Sequence, residues 1–212
     1  MVDSKLRDCT SHNIANSELF IVEGQSAGGS LIQCRDPKHH AILSLKGKIP
    51  NIACDSKDFL KNKEIIEIIN ALGTGFEPDF SISSLRYGKI IFAQDADSDG
   101  SHIAVLLMTV FLKLLPGLLK KGCVYKSIMP LYGTTVSKQF IPIYNDQELA
   151  SIKATHPNAK IQRYNGLGEM NPDQLKMVLL DSTRKLQTIN LPENPETILN
   201  LMTDSSEKRK LV

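Results

Sequence analysis

Several absences bound what this sequence can be. Only four cysteines occur among 212 residues, at Cys9, Cys34, Cys54 and Cys123, and no two form a CxxC pair. That spacing gives no zinc site and no disulfide framework, and it suits reduced thiols in a cytoplasmic setting. No signal peptide opens the sequence, since "MVDSKLRDCTS" is polar from the start. No uninterrupted apolar run spans a bilayer. The most apolar stretch, "HIAVLLMTVFLKLLPGLLKKG", carries Lys113 and Pro116 and reads as a buried helix, so no membrane is expected. Charge of one sign is also missing: the formal net charge is +2, so any basic surface for nucleic acid must be local. There is no internal repeat, no low-complexity linker, no GxGxxG and no GxxxxGK[ST].

What is present is an ordinary globular composition, 42% hydrophobic and 23% charged. Short apolar runs at 18–24, 39–45, 89–95 and 123–132 read as strands. Between them, 26–35, 56–73 and 101–121 read as helices. Ser56 is the expected N-cap and Gly73 the stop of the second helix, and Pro116 is expected to bend the third. Alternation of this kind predicts an α/β fold: a Rossmann-like parallel sheet flanked by helices. After Gly133 the rhythm changes to a hairpin, a polar helix at 146–155, a strand at 160–165, a glycine loop, a helix from Asn171, an extended 183–191 and a last helix. A smaller α+β region is expected there. Residues 1–17 read as loop-like.

The densest chemistry is "IIFAQDADSDG", where Asp95, Asp97 and Asp99 arrive on alternate positions at a strand end. Ligands of parallel α/β sheets bind beyond the carboxyl ends of strands, and Glu23 ends another strand. On an extended backbone Asp95 and Asp97 would share a side, about 7 Å apart. A divalent cation offsets their repulsion, and an oxygen-only, half-open site suits magnesium, or manganese. Three rivals stand beside this reading. An EF-hand loop would need a bidentate Glu where Leu106 stands. A dehalogenase-type phosphate acceptor would carry its DxD after the first strand. Simple capping of a helix starting near Ser101 would need one acid, of which Asp99 is the candidate, not three. The segment "EGQSAGGS" is open in the same way: a phosphate cradle, or close packing of a helix on a sheet.

The segments "ELFIVEGQSAGGS", "AILSLKGKIPNI", "IINALGTG", "LRYGKIIFAQDADSDGSHI", "PLY" and "RYNGLGEMNPDQL" resemble, in order and spacing, the TOPRIM domain and C-terminal tail of type IIA topoisomerase B subunits, those of gyrase and topoisomerase IV. "DADSDG" followed by "HIA" is more similar to the topoisomerase IV form. The resemblance implies a transducer-junction segment at 1–17, a metal-binding TOPRIM domain at 18–133 and the B-subunit tail at 134–212. It implies that Glu23 is a metal ligand and the general acid/base, that Asp95 and Asp97 are metal ligands, and that Asp99 is a more peripheral acid. It places Lys48 and Asn51, with His102 and Arg209, at positions that approach double-stranded DNA, and Lys46 and Lys48 would neutralise its phosphates.

Nothing in the sequence resembles the ATPase segment, so ATP would act only through an N-terminal domain not present here. No tyrosine has the context of a nucleophile, so the resemblance implies an A-subunit partner in an A2B2 heterotetramer. A fragment, or a separately encoded split subunit, inactive alone and at home in the cytoplasm on the nucleoid, is the expectation. A primase- or nuclease-type module with the same acids, and a subunit-bridging module with a dead metal site, are the rivals. Gln25 stands where the family usually has Asp, Asn165 where it usually has Lys, and Met129 where Pro is common.

Overall fold

A computed structural model describes residues 5–11, 13–46, 49–54 and 58–203. Its centre is a six-stranded sheet of order β1-β3-β2-β4-β5-β9, made of β1 (Leu6–Arg7), β2 (Glu18–Glu23), β3 (His40–Leu45), β4 (Lys89–Ala93), β5 (Val124–Ser127) and β9 (Leu186–Thr188). The four middle strands are parallel, and the two edges are antiparallel. Strands β2 and β4 read as continuous apolar runs because both of their faces are covered. Leu19, Ile21, Ile90 and Phe92 face one core with α2 (Lys63–Leu72), α3 (Ser98–Leu114) and α4 (Pro116–Lys121). Phe20, Val22, Ile91 and Ala93 face a second core with α1 (Gln25–Cys34), α6 (Pro172–Leu175) and the segment after it.

A second sheet, of order β7-β6-β8, is antiparallel and built from β6 (Tyr132–Val136), β7 (Gln139–Ile143) and β8 (Gln162–Arg163). Ser137 and Lys138, both at positive φ, form the two-residue turn between β6 and β7, which matches the twist of the strands. Helix α5 (Asp146–Thr155) follows the hairpin, and α7 (Pro195–Thr203) ends the described chain.

Several expectations need correction. The leading residues are not all loop: Leu6 and Arg7 pair antiparallel with Leu43 and Ile42. The second helix starts at Lys63, capped by the Asn62 side chain on Ile65 N; Ser56 lies outside the described residues. The third helix does not bend at Pro116 but stops at Leu114, and Pro116 opens α4 at a position where its missing N–H is no loss. The run at 123–132 is cut after Ser127, ahead of Pro130, which cannot donate to a ladder. The 134–212 region also contributes to the main sheet, through its edge strand β9. Arg184 from the same region donates two short hydrogen bonds, 2.7 and 2.6 Å, to the Glu18 carboxylate at the start of β2.

Candidate metal and acid site

Parallel pairing sets Val22 opposite Ala93, so β2 and β4 end level with one another. Glu23 is the last residue of β2, and Asp95 lies two residues beyond β4. Adjacent strands run about 4.8 Å apart, which brings the two acids into one neighbourhood. Gly24 follows Glu23 at φ 76°, a conformation suited to glycine, and turns the chain into α1. Gly28 settles the glycine-rich segment towards packing at that position: a Cβ there would stand 2.0 Å from Ser44 Oγ on β3.

Gln94, between the strand and the acids, is buried, and its Nε2 donates to Ile21 O at 2.8 Å. Its Oε1 is buried with no hydrogen-bond partner among the described residues. A buried acceptor of that kind costs about 1–3 kcal/mol unless a donor reaches it. Asp95 is half-buried, and its Oδ1 accepts from Leu167 N at 2.7 Å. Burial pushes its carboxyl above the usual range; the Leu167 N–H works against that rise, and the charges of Asp97 and Glu169 add to it. Asp97 is exposed and caps α3, its Oδ1 accepting from Gly100 N at 2.7 Å. Gly100 is required there, since a Cβ would meet the Asp95 carbonyl oxygen at 2.3 Å.

Here too the sequence-based expectation shifts. The helix begins at Ser98, not Ser101, and its cap is Asp97, not Asp99, which lies in the first turn. Asp97 itself is extended, at φ −84° and ψ −177°, with the chain bending at residues 96 and 97 just before the helix. Among the described residues no group of three or more His, Cys, Asp or Glu side chains is gathered at metal-holding geometry.

The described DNA-contact candidates sit on different elements. Lys46 is exposed just past β3, and His102 is exposed on α3. Asn51 is engaged inside the protein: its Nδ2 donates to Met202 O at 2.9 Å and its Oδ1 accepts from Ala53 N at 3.1 Å. Lys48 and Arg209 lie outside the described residues.

The family model described as Toprim domain matches residues 18–128, more than half of the chain. The chain belongs to the Toprim family. A second model, described as DNA gyrase B subunit, carboxyl terminus, matches residues 156–211. The Toprim chain is 44% identical to the DNA gyrase B subunit of Thermotoga maritima, over 98% of its own length and 34% of that protein. It is 45% identical to the DNA gyrase B subunit of Metamycoplasma hominis, over 89% of the chain and 30% of that protein. It is 42% identical to the DNA topoisomerase 4 B subunit of Mycoplasma genitalium, over 97% of the chain and 34% of that protein. The chain thus spans about a third of the length of these relatives, and likeness to both kinds of protein leaves gyrase and topoisomerase IV unseparated. No helix of the described Toprim chain is long and apolar enough to cross a membrane.

Two contributors have no clear signal in the sequence. Gln94 shows there only as a polar residue ending an apolar run. The loop 166–169 is visible as a glycine pair, but nothing local says that it closes over Asp95, 72 positions away.

Proposed function

We propose that the chain supplies the acidic, magnesium-holding half of a type IIA topoisomerase cleavage and religation site. The observation that carries this is the level ending of β2 and β4, which gathers Glu23, Gln94 and Asp95 at the carboxyl edge of a parallel sheet beside Asp97 at a helix start. The donor set fits the ion. Magnesium takes one or two carboxylates, keeps several waters and accepts substrate phosphate oxygens, so it needs no preformed cage of three acids. Gln94 Oε1 would be the acceptor available to one such water. Glu23 and Asp95 would hold the ion, with Asp97 and Asp99 at its outer side. When bound, the ion would stabilise negative charge on the oxygen that leaves phosphorus.

The chain's own groups have separate tasks in this reading. Glu23 acts as general acid towards the leaving 3′-oxygen during cleavage and as general base during religation. Lys46 and Lys48 neutralise backbone phosphates without reading sequence, and His102 and Arg209 extend that surface. Asn51 serves the DNA surface by bracing its loop, because its amide is already bonded at both ends. The nucleophilic tyrosine comes from an A-subunit partner in an A2B2 assembly, and ATP acts through a domain outside this sequence. The cytoplasm and the nucleoid are the compatible setting.

The test restores the missing parts. The 212-residue chain joined to a cognate ATPase segment is mixed with its A-subunit partner, Mg2+ and supercoiled DNA, and relaxation and cleavage complexes are scored. Activity that disappears in Glu23→Gln supports the reading. Cleavage that survives that substitution removes Glu23 from the chemistry. Failure to cleave with every acid intact favours the rival bridging module.

A further inference from the structure

The acid site includes a piece of chain from far outside the matched Toprim segment. Leu167 N donates to Asp95 Oδ1 at 2.7 Å. Gly166, just before it, lies so close that a Cβ would stand 2.7 Å from Asp95 Oδ2, 3.0 Å from Cγ and 3.2 Å from Oδ1. The loop backbone thus lies against the carboxylate, and a side chain at residue 166 would have to push the Asp95 carboxylate from its present position.

The loop is itself held from three directions. The Leu167 side chain is 1% exposed, in the core formed with Phe20, Val22 and Ala93. Asn165 N and Nδ2 donate to the two oxygens of Glu169, at 3.2 and 3.4 Å, and close the loop on itself. Met170 is buried in the same core. The donor to Asp95 is thus fixed by packing and not by the carboxylate it serves. Outer partners of this kind orient a metal-binding carboxylate before the ion arrives, and their loss typically costs 10–100-fold in metal affinity.

We propose that Gly166 and the Leu167 amide are positioning groups for Asp95, so that the segment following residue 134 completes the metal site. This inference rests on the reading of Asp95 as a magnesium ligand. Gly166 has φ −143° and ψ 159°, extended values open to alanine, so Gly166→Ala tests the contact with Asp95 and not a backbone preference. Gly168→Ala is the control in the same loop, since its Cβ meets Ser26 Cβ only at an ordinary 3.8 Å.

The readout is Mg2+ alone titrated into the isotope-labelled 212-residue chain, followed by amide resonances, with thermal unfolding measured alongside. Gly166→Ala is expected to weaken Mg2+ by about 10–100-fold, while Gly168→Ala binds as wild type and both unfold in a single transition. In the wild-type chain the Leu167 amide should move with the same midpoint as Asp95. Wild-type affinity in Gly166→Ala, with binding lost in Asp95→Asn, overturns the positioning role alone. Undiminished binding in Asp95→Asn overturns the ligand reading of Asp95 and this inference with it. Should Gly166→Ala not fold, the wild-type Leu167 amide decides: a resonance that stays still while Asp95 shifts refutes the inference.

Discussion

Removing Arg184 should cost more than removing any other single charge described in this chain. Its guanidinium meets Glu18 through two hydrogen bonds of 2.7 and 2.6 Å, and both side chains are only 11% exposed. Arg184→Met keeps much of the aliphatic length and leaves the Glu18 carboxylate inside. Breaking a buried pair from one side costs about 3–5 kcal/mol. Lys89, 3.0 Å from Glu18, remains as a partner, but it is 40% exposed and compensates weakly. We therefore expect the low end, about 3 kcal/mol. For a chain of this size, with roughly 2–4 °C lost per kcal/mol, that is a fall in Tm of about 6–12 °C. Calorimetry or circular dichroism reads it directly.

Acid should erase the difference. Burial alone would raise the Glu18 carboxyl, but Arg184, and after it Lys89, bring it below its ordinary value of 4.5. A carboxyl lower in the folded than in the unfolded chain contributes stability above the unfolded value and loses it as pH falls through the folded one. The gap between wild type and Arg184→Met should be full at pH 7 and close below about pH 4.5. A Tm change under about 2 °C at pH 7, or a gap that persists in acid, would refute the idea that this pair ties β9's region to β2.

Three further outcomes follow from the same geometry. Gly100→Ala sets a Cβ against the Asp95 backbone and should lower stability by about 1–3 kcal/mol and abolish the response to Mg2+, as thermal unfolding with and without the ion would show. Asn51→Ala removes the donor to Met202 O and should speed hydrogen exchange in α7 with a global cost near 1 kcal/mol; unchanged exchange over 195–203 would argue against the brace. Phe92→Ala, at a side chain 0% exposed and packed edge-on against Phe111, should cost about 3–5 kcal/mol by denaturant unfolding.

The central strands were legible because burial on both faces writes itself as unbroken apolar runs: "LFIV" and "IIFA" need no tertiary information. The edges were legible unevenly. Leu6 and Arg7 become a strand only because β3 offers an open side, and carry no local signature; 183–191 reads as extended, but its pairing with β5 is set by the tertiary fold. The acids were legible as residues but not in their division of work. Whether Asp97 or Asp99 caps the helix depends on where helical geometry starts, a matter of one turn that the repeated Asp-x-Asp pattern leaves open. The clamp on Asp95 joins positions 72 apart in sequence, and such contacts come from topology.

The central claim is that Glu23 and Asp95 share one ion. The decisive measurement is a Mg2+ titration of the labelled chain beside its Glu23→Gln variant, followed at the resonances of residues 23, 94, 95 and 167. A shared ion predicts one saturable midpoint common to all four sites in the wild type and its loss in Glu23→Gln. Resonances that stay still, or that titrate alike in the two proteins, would contradict it.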